Sequence, residues 1–395
     1  MSGEPLALYV HWPFCVSKCP YCDFNSHVRS TTDQDAWREA LLTDLAHEAR
    51  LLPGRRLTSI FFGGGTPSLM EPATVAAVVD AASASWPAAD DVEITLEANP
   101  NSVEAARFAD LAAAGVNRLS LGLQSFDDQA LAFLGRAHSA TEGWTALQTA
   151  QKHFPRVSFD LIYALPGDTE PGWSATLAQA LSLGTTHLSL YQLTIEPGTR
   201  FAALHAAGKL KPLGGDEAAA LFELTDEMTS AAGIPAYEIS NHARRGRECR
   251  HNLTYWRCGD YAGIGPGAHG RRLRMRTARH RKPENFLKAL RRNGHGMAEE
   301  ALLTPTEAAD EALVMGLRLR EGVDAGVIGE RFERPVVEWD RVDRLVASGH
   351  LTRVGTRIAL TADGRLLLDH ILGEIAAAEP IASEAAAPQP ASVAA

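Results

Sequence analysis

Six times before about residue 235, a short apolar, β-rich run is followed by a longer helical stretch, and this alternation restricts the fold more than any other feature of the chain. LALYVH precedes 34–51, TSIFF precedes 72–86, VEITLE precedes 102–114, NRLSLGL precedes 127–152, RVSFDLIYAL precedes 170–183 and HLSLYQL precedes 216–231. Strands separated by helices pair in parallel, so six units predict a parallel sheet, either open or curled into a complete or partial barrel. Polar or glycine-rich groups stand at the strand ends: the cysteines after the first run, Gly63-Gly64-Gly65-Thr66 after the second, Glu97 and Asn99 at the third, Gln124 and Ser125 after the fourth. Asp160 lies within the fifth run, and Tyr191 and Gln192 within the sixth. Barrel enzymes assemble their sites at the carboxyl ends of several strands, so these groups are expected to converge on one mouth.

A change of character follows. Between Arg244 and Arg292 there are 15 Lys or Arg against Glu248, Asp260 and Glu284, with Gly and aromatics but weak periodicity. Thr304-Pro305-Thr306-Glu307 then announces a helix, with a capping threonine, a proline at the first helical position and a glutamate three residues after the cap. A helical pattern at 337–348, the paired runs of LTRVGTRIAL and a last helix to about Ile375 have the order of a winged helix. The expected organisation is therefore a core at 1–235, a mixed basic and aromatic connector at 236–300, a winged-helix-like domain at 301–376 and a disordered tail at 377–395. The last twenty residues hold ten Ala and three Pro and cannot form a core.

Charge and hydropathy remove several classes of function. A net charge of -10 argues against a protein that coats nucleic acid, and residues 299–375 carry 15 acidic against 9 basic side chains, the wrong sign for a DNA-binding winged helix. The longest apolar stretch, 73–89, is interrupted by Asp80 and Pro87, so no membrane span is expected. MSGEPLALYVHWPFC lacks the basic and apolar regions of a secretory signal, which places the chain in the cytoplasm.

Three of the five cysteines, Cys15, Cys19 and Cys22, fall within eight residues. In a reducing compartment such a triplet indicates metal ligation rather than disulfides. Zinc takes four ligands and favours CxxC pairs, whereas a cubane can be held by three thiolates with one iron left open, so the spacing favours iron–sulfur.

CxxxCxxC after the first strand, GGGTPS after the second and six βα units resemble the radical S-adenosylmethionine superfamily. HWPFCVSKCPYCDF, FFGGGTPSLM, LEANP, LSLGLQSFDD, DLIYALPGDT and HNLTYWRCGDYAGIGPGAHG resemble, more narrowly, the oxygen-independent coproporphyrinogen oxidase group and its HemW-type heme chaperones, over about residues 5–375. The resemblance implies a partial (βα)6 barrel in which Cys15, Cys19 and Cys22 hold a 4Fe-4S cluster and S-adenosylmethionine chelates the fourth iron, to be cleaved to a deoxyadenosyl radical. By motif position it implies cofactor contacts from Tyr9, Tyr21, Gly64, Gly65, Thr66, Glu97, Gln124, Arg136 and Asp160. The glycines let backbone approach the methionine amine, the carboxylates suit its ammonium and ribose hydroxyls, and Arg136 suits its carboxylate.

Two departures point to the chaperone subgroup and away from the oxidase. The oxidase pattern carries a further cysteine two positions after the triplet, where this chain has Phe24, and an N-terminal extension for which a strand starting near Leu6 leaves no room. The HNxxYW run, His251 to Trp256, implies a heme site in which His251 ligates iron, Tyr255 and Trp256 cover the macrocycle, and Arg244, Arg245, Arg247 and Arg250 pair with propionates. Cys249, Cys258, His242 and His269 are weaker ligand candidates. Implied partners are heme, an unidentified heme acceptor for which a membrane-associated protein stays open, and an electron donor, with no nucleic acid and with a homodimer open. The alternatives are coproporphyrinogen oxidation and, further off, radical modification of RNA.

Overall fold

A computed structural model describes residues 3–377, so the expected tail lies, from residue 378 onward, outside the described residues. The six predicted strands, β1 (Pro5–Trp12), β2 (Arg56–Gly64), β3 (Ala88–Ala98), β4 (Arg118–Gln124), β5 (Arg156–Tyr163) and β6 (His187–Gln192), lie side by side in chain order and parallel. Helices α1 (Gln34–Leu51), α2 (Pro72–Ser85), α3 (Ala140–His153), α4 (Glu170–Ser182) and α5 (Gly215–Ala231) are among the elements that connect and follow them. Alternate strand residues such as Leu8, Val10, Ile60, Phe62, Leu96, Leu121, Phe159 and Leu190 are buried with Leu41, Leu45, Val78, Leu147 and Leu177 of the helices in one core. The intervening positions, including Tyr9, Ser59, Glu97, Ser120, Asp160 and Ser189, carry polar groups and line the concave side.

From residue 236 the chain adds to the same sheet. Strand β7 (Asn241–Ala243) runs antiparallel to β6, helix α6 (Arg250–Trp256) intervenes, and β8 (Tyr261–Ile264) pairs in parallel with β1. Strands β9 (His269–Arg272), β10 (Met275–Arg279) and, after α7 (Pro283–Asn293), β11 (Met297–Leu302) extend that edge antiparallel. The sheet therefore runs from β11 to β7 without closing, a partial barrel. The expected connector is an extension of the barrel wall, and its weak hydrophobic period has a cause: Arg271, Arg272 and Arg279 are buried where apolar residues would reveal a strand. Arg279 donates to Asp44 (3.2 Å) and Glu48 (2.7 Å) on α1, and Asp44 also accepts from the backbone of Gly265 (3.2 Å) and Gly296 (3.0 Å).

The last domain has the expected winged order: α8 (Pro305–Leu317), β12 (Val323–Asp324), α9 (Ala325–Phe332), α10 (Trp339–Ala347), β13 (Leu351–Val354), β14 (Arg357–Leu360) and α11 (Leu368–Ile375), with the strands ordered β12-β14-β13. The capping box at Thr304 and Glu307 is formed. Its core, with Leu313, Ile328, Val342, Ile358 and Ile371, also takes in Cys258. The domain meets the barrel through the ion pairs Arg365–Asp226 and Arg318–Glu238. Among the described residues no helix is long and apolar enough to cross a membrane.

Removing one member of a buried ion network leaves the other charge without compensation. Asp44→Ala is therefore expected to lower the unfolding free energy by about 3–5 kcal/mol in urea denaturation. Glu299→Ala, which breaks only the exposed pair with Arg276, should cost less than about 1 kcal/mol.

Candidate functional site

Strand β1 ends in Trp12, and the chain re-forms a two-residue parallel ladder in which Phe14 and Cys15 pair with His27 and Val28. This ladder pins both ends of the cysteine loop, and within it the amide of Cys22 donates to the carbonyl of Cys19 (3.2 Å). The turn after β2 is stitched to the same segment: Gly65 N donates to Trp12 O (2.7 Å) and Thr66 N to Phe14 O (2.9 Å). Two of the glycines are required by contact. Gly64 has φ +116°, and a Cβ there would lie 2.6 Å from the His11 ring, while a Cβ on Gly65 would stand 2.8 Å from Phe14 O and 3.0 Å from Cys15 Sγ.

All three cysteines, Tyr21, Gly64, Gly65, Thr66, Glu97, Gln124, Arg136 and Asp160 line one cavity of about 420 Å³ at the carboxyl ends of the strands. Tyr9 lies deeper and outside this lining, its hydroxyl donating to His11 Nδ1 (2.8 Å). Among the described residues no three His, Cys, Asp or Glu side chains close on one point as a single-ion site does. The three half-buried thiols around one cavity instead suit a cluster that spans them and leaves a corner open. Burial and the neighbouring thiols raise the pKa of Cys15 and Cys22, with Thr66 Oγ1 (3.4 Å from the Cys15 sulfur) acting against the rise.

The groups beside the thiols are half-buried and incompletely paired. Among the described residues Glu97 accepts one hydrogen bond, from Gly64 N (3.2 Å), and burial, then Asp160, pushes its pKa up to about 8. Burial likewise raises Asp160 to about 6, although Ser189, Arg118 and Ser120 oppose the rise. Arg136 donates to Asn99 Oδ1 (2.6 Å) and Gly122 O (2.9 Å) and reaches Cys19 Sγ (3.6 Å), yet among the described residues its Nε has no partner. Gln124 sits at φ 68°, a left-handed conformation unusual for a residue with a side chain, and its buried Oε1 is also unpartnered. Unsatisfied donors, acceptors and carboxylates around a void are what a ligand with ammonium, carboxylate and hydroxyl groups would complete. The residues present thus fit both a three-thiolate cubane and S-adenosylmethionine.

Sequence reasoning placed Asn99 at the mouth but missed the other groups that hold this wall in place. Asn99 Nδ2 donates to Thr66 Oγ1 (3.2 Å), and buried Glu104 gathers Ser68, Asn99 and Asn101. His11 Nε2 donates to Asn25 O (3.0 Å) while its Nδ1 accepts from Tyr9, which fixes one neutral tautomer; burial lowers its pKa to about 4. The Asn25 amide donates to Pro266 O (2.9 Å) and Arg281 O (3.0 Å), against Gly267, where a Cβ would fall 2.2 Å from Asn25 Nδ2. The asparagines of the LEANPN run and the glycines of GIGPG were the available signals.

In this structure the HNxxYW run packs inward, with His251 buried and Tyr255 and Trp256 half-buried. His251 is 1% exposed, with Nδ1 bonded to Ser59 Oγ (3.2 Å), Nε2 to Tyr255 OH (2.7 Å) and its ring stacked on Phe61. Tyr255 sits edge-on to Tyr261, and Trp256 lies under the Arg318 guanidinium. Glu93 accepts from Arg250 N (2.9 Å) and pairs with Arg156 (2.8 Å), so α6 closes the end of the lumen opposite the cysteines. Cys249 and Cys258 are both buried, which fits small core residues better than open ligands. Arg244, Arg245 and Arg247 are exposed, and Arg250 is held by Asp91.

Comparison with known proteins adds to this geometry. The radical SAM superfamily matches residues 9–180 and the HemN C-terminal domain matches residues 303–367. The mouse mitochondrial radical S-adenosyl methionine domain-containing protein 1 is 41% identical over 93% of this chain and 86% of its own length. The heme chaperone HemW of Escherichia coli is 38% identical over 93% of this chain and 97% of its own, and that of Mycobacterium tuberculosis 35% identical over 94% and 95%. The solved coproporphyrinogen III oxidase (HemN) of Escherichia coli shares the fold, with a TM-score of 0.79 and 23% identity over 94% of this chain and 90% of its own. With relatives of this identity aligned over nearly their whole length, and with the thiols, glycine turn and barrel already in place, the chain belongs to the HemW family of the radical S-adenosylmethionine superfamily.

Proposed function

We propose that this chain is a cytoplasmic heme chaperone, which holds heme and passes it to an acceptor protein while carrying a 4Fe-4S cluster and S-adenosylmethionine in the cavity. The observation that carries the reading is the near-full-length identity with HemW proteins, whereas the likeness to the oxidase is one of fold. Phe24 supports it: the position where the oxidase pattern has a cysteine is an exposed phenylalanine on the cavity rim.

In this reading Cys15, Cys19 and Cys22 would hold the cluster, whose chemistry when bound would be electron supply to the sulfonium. Gly64 and Gly65 would let backbone meet the methionine amine, Glu97 would accept from that amino group, Arg136 Nε would meet the carboxylate and Asp160 the ribose hydroxyls, with Thr66, Gln124 and Tyr21 closing the sides. Tyr9 acts through His11 rather than by direct contact. An electron donor and a heme acceptor are the required partners.

Two expectations follow for the cavity. Cys19→Ala should lose the cubane, leaving too few thiolates, while Cys249→Ala retains it; iron and sulfide analysis after anaerobic reconstitution decides. Glu97 accepts best from the amino group as a carboxylate, so S-adenosylmethionine affinity should weaken as pH falls through about 8, as measured by equilibrium dialysis. Glu97→Gln should bind more weakly and flatten that dependence.

The function itself is tested by giving the reconstituted protein hemin, and in parallel coproporphyrinogen with reductant and S-adenosylmethionine. Stoichiometric heme binding with transfer to an apo-heme protein, and no porphyrinogen turnover, is expected. Repeated turnover of coproporphyrinogen would establish the oxidase instead.

A further inference from the structure

We infer that His269, on the concave side of the added strands beside the cysteine loop, is the axial ligand to the heme iron. This rests on the heme-binding reading above and changes only the ligand and its location. An axial histidine must offer a free imidazole lone pair on a surface where a flat macrocycle can approach. His251 offers neither, with both nitrogens bonded inside the lumen.

His269 meets both requirements. It is exposed, and among the described residues its ring has charged neighbours, Arg281, Glu299 and Arg276, but no hydrogen-bond partner. Partial burial, then Arg281, lowers its pKa below the ordinary value, which keeps the lone pair available at neutral pH. The strand register clears the ground on either side. Tyr261 pairs with Arg271, which sets Gly263 across from His269 on β8, and on β10 the partner is Ala278. A bare glycine and a methyl group stand directly across from His269 on the two neighbouring strands, which leaves the imidazole without a bulky partner at its own register position.

The rim supplies the remaining chemistry. Arg281 is a cation for a propionate, and its carbonyl already holds Asn25, the residue after Phe24. The Asn25 amide lies against Gly267, two residues before His269, and His11 senses both His269 and Arg281. These contacts bring Phe24, which is 61% exposed, to the same rim as His269, where it offers an apolar face to the macrocycle. Heme held here shares a mouth with the cluster cavity, whereas heme on α6 would sit at the opposite end of the barrel.

Titration of hemin into the full-length reconstituted protein tests the assignment. His269→Ala is expected to weaken binding by about tenfold or more and to abolish the absorption and electron paramagnetic resonance signature of histidine ligation, while the iron–sulfur spectrum is unchanged. Free imidazole added to that variant should restore the histidine-type spectrum, which a general loss of folding would not permit. Arg281→Ala should weaken binding in a salt-dependent way with the ligation signature intact. An unchanged heme spectrum and affinity in His269→Ala would overturn the assignment while leaving heme binding standing. Failure of the unaltered protein to bind hemin stoichiometrically would overturn the heme reading and this assignment together.

Discussion

Asp44 is the point on which the geometry of the site depends. It is a fully buried carboxylate on α1 whose two oxygens accept from Arg279, Gly265 and Gly296. Those bonds clamp the turn after β8 and the approach to β11 onto the first helix. The clamped turn presents Pro266 and Gly267 to Asn25, and Asn25 in turn receives the His11 imidazole. A chain of contacts therefore leads from one buried acid to the exit of the cysteine loop. Its links are directional hydrogen bonds in a low-dielectric interior, where each bond left unmade costs about 1–3 kcal/mol.

The barrel divides its polarity between two ends. At the mouth, Glu97, Asp160, Gln124 and Arg136 keep unspent bonding capacity beside the thiols, which is costly in the free protein and recoverable on ligand binding. At the far end, Glu93, Arg156, Ser59, His251 and Tyr255 satisfy one another around α6. The HNxxYW residues thus close the lumen, with Phe61 stacked on His251 and Tyr9 stacked in turn on Phe61. An unfilled site and a filled plug made from similar residue types differ only in whether partners are present.

The winged element is joined to the barrel by ion pairs and by α6, not by a flexible tether. Arg318 shows how closely the parts interlock: it pairs with buried Glu238 beside β7 and covers Trp256 of α6. The acidic surface of this domain suits packing and protein contact rather than phosphate.

The sequence alone determined the six strand–helix units, the winged order, the capping box at Thr304 and the three-cysteine loop facing a glycine turn. Each is written in local periodicity, spacing or turn chemistry, which one stretch of chain can express. The convergence of Glu97, Gln124 and Asp160 on one mouth was also foreseeable, because every parallel strand ends on the same side, whereas Arg136, in the loop past the helix that follows β4, was implied by the family motif alone. Only the tertiary structure decided that 236–300 completes the barrel wall, since its strands are short and bury arginines whose acidic partners lie on α1, far away in sequence. It also decided that His251 is a core residue and that His269 is open. A histidine reads the same in either setting; its availability as a ligand depends on which distant hydroxyls, aromatics and strands surround it, and local pattern does not encode that.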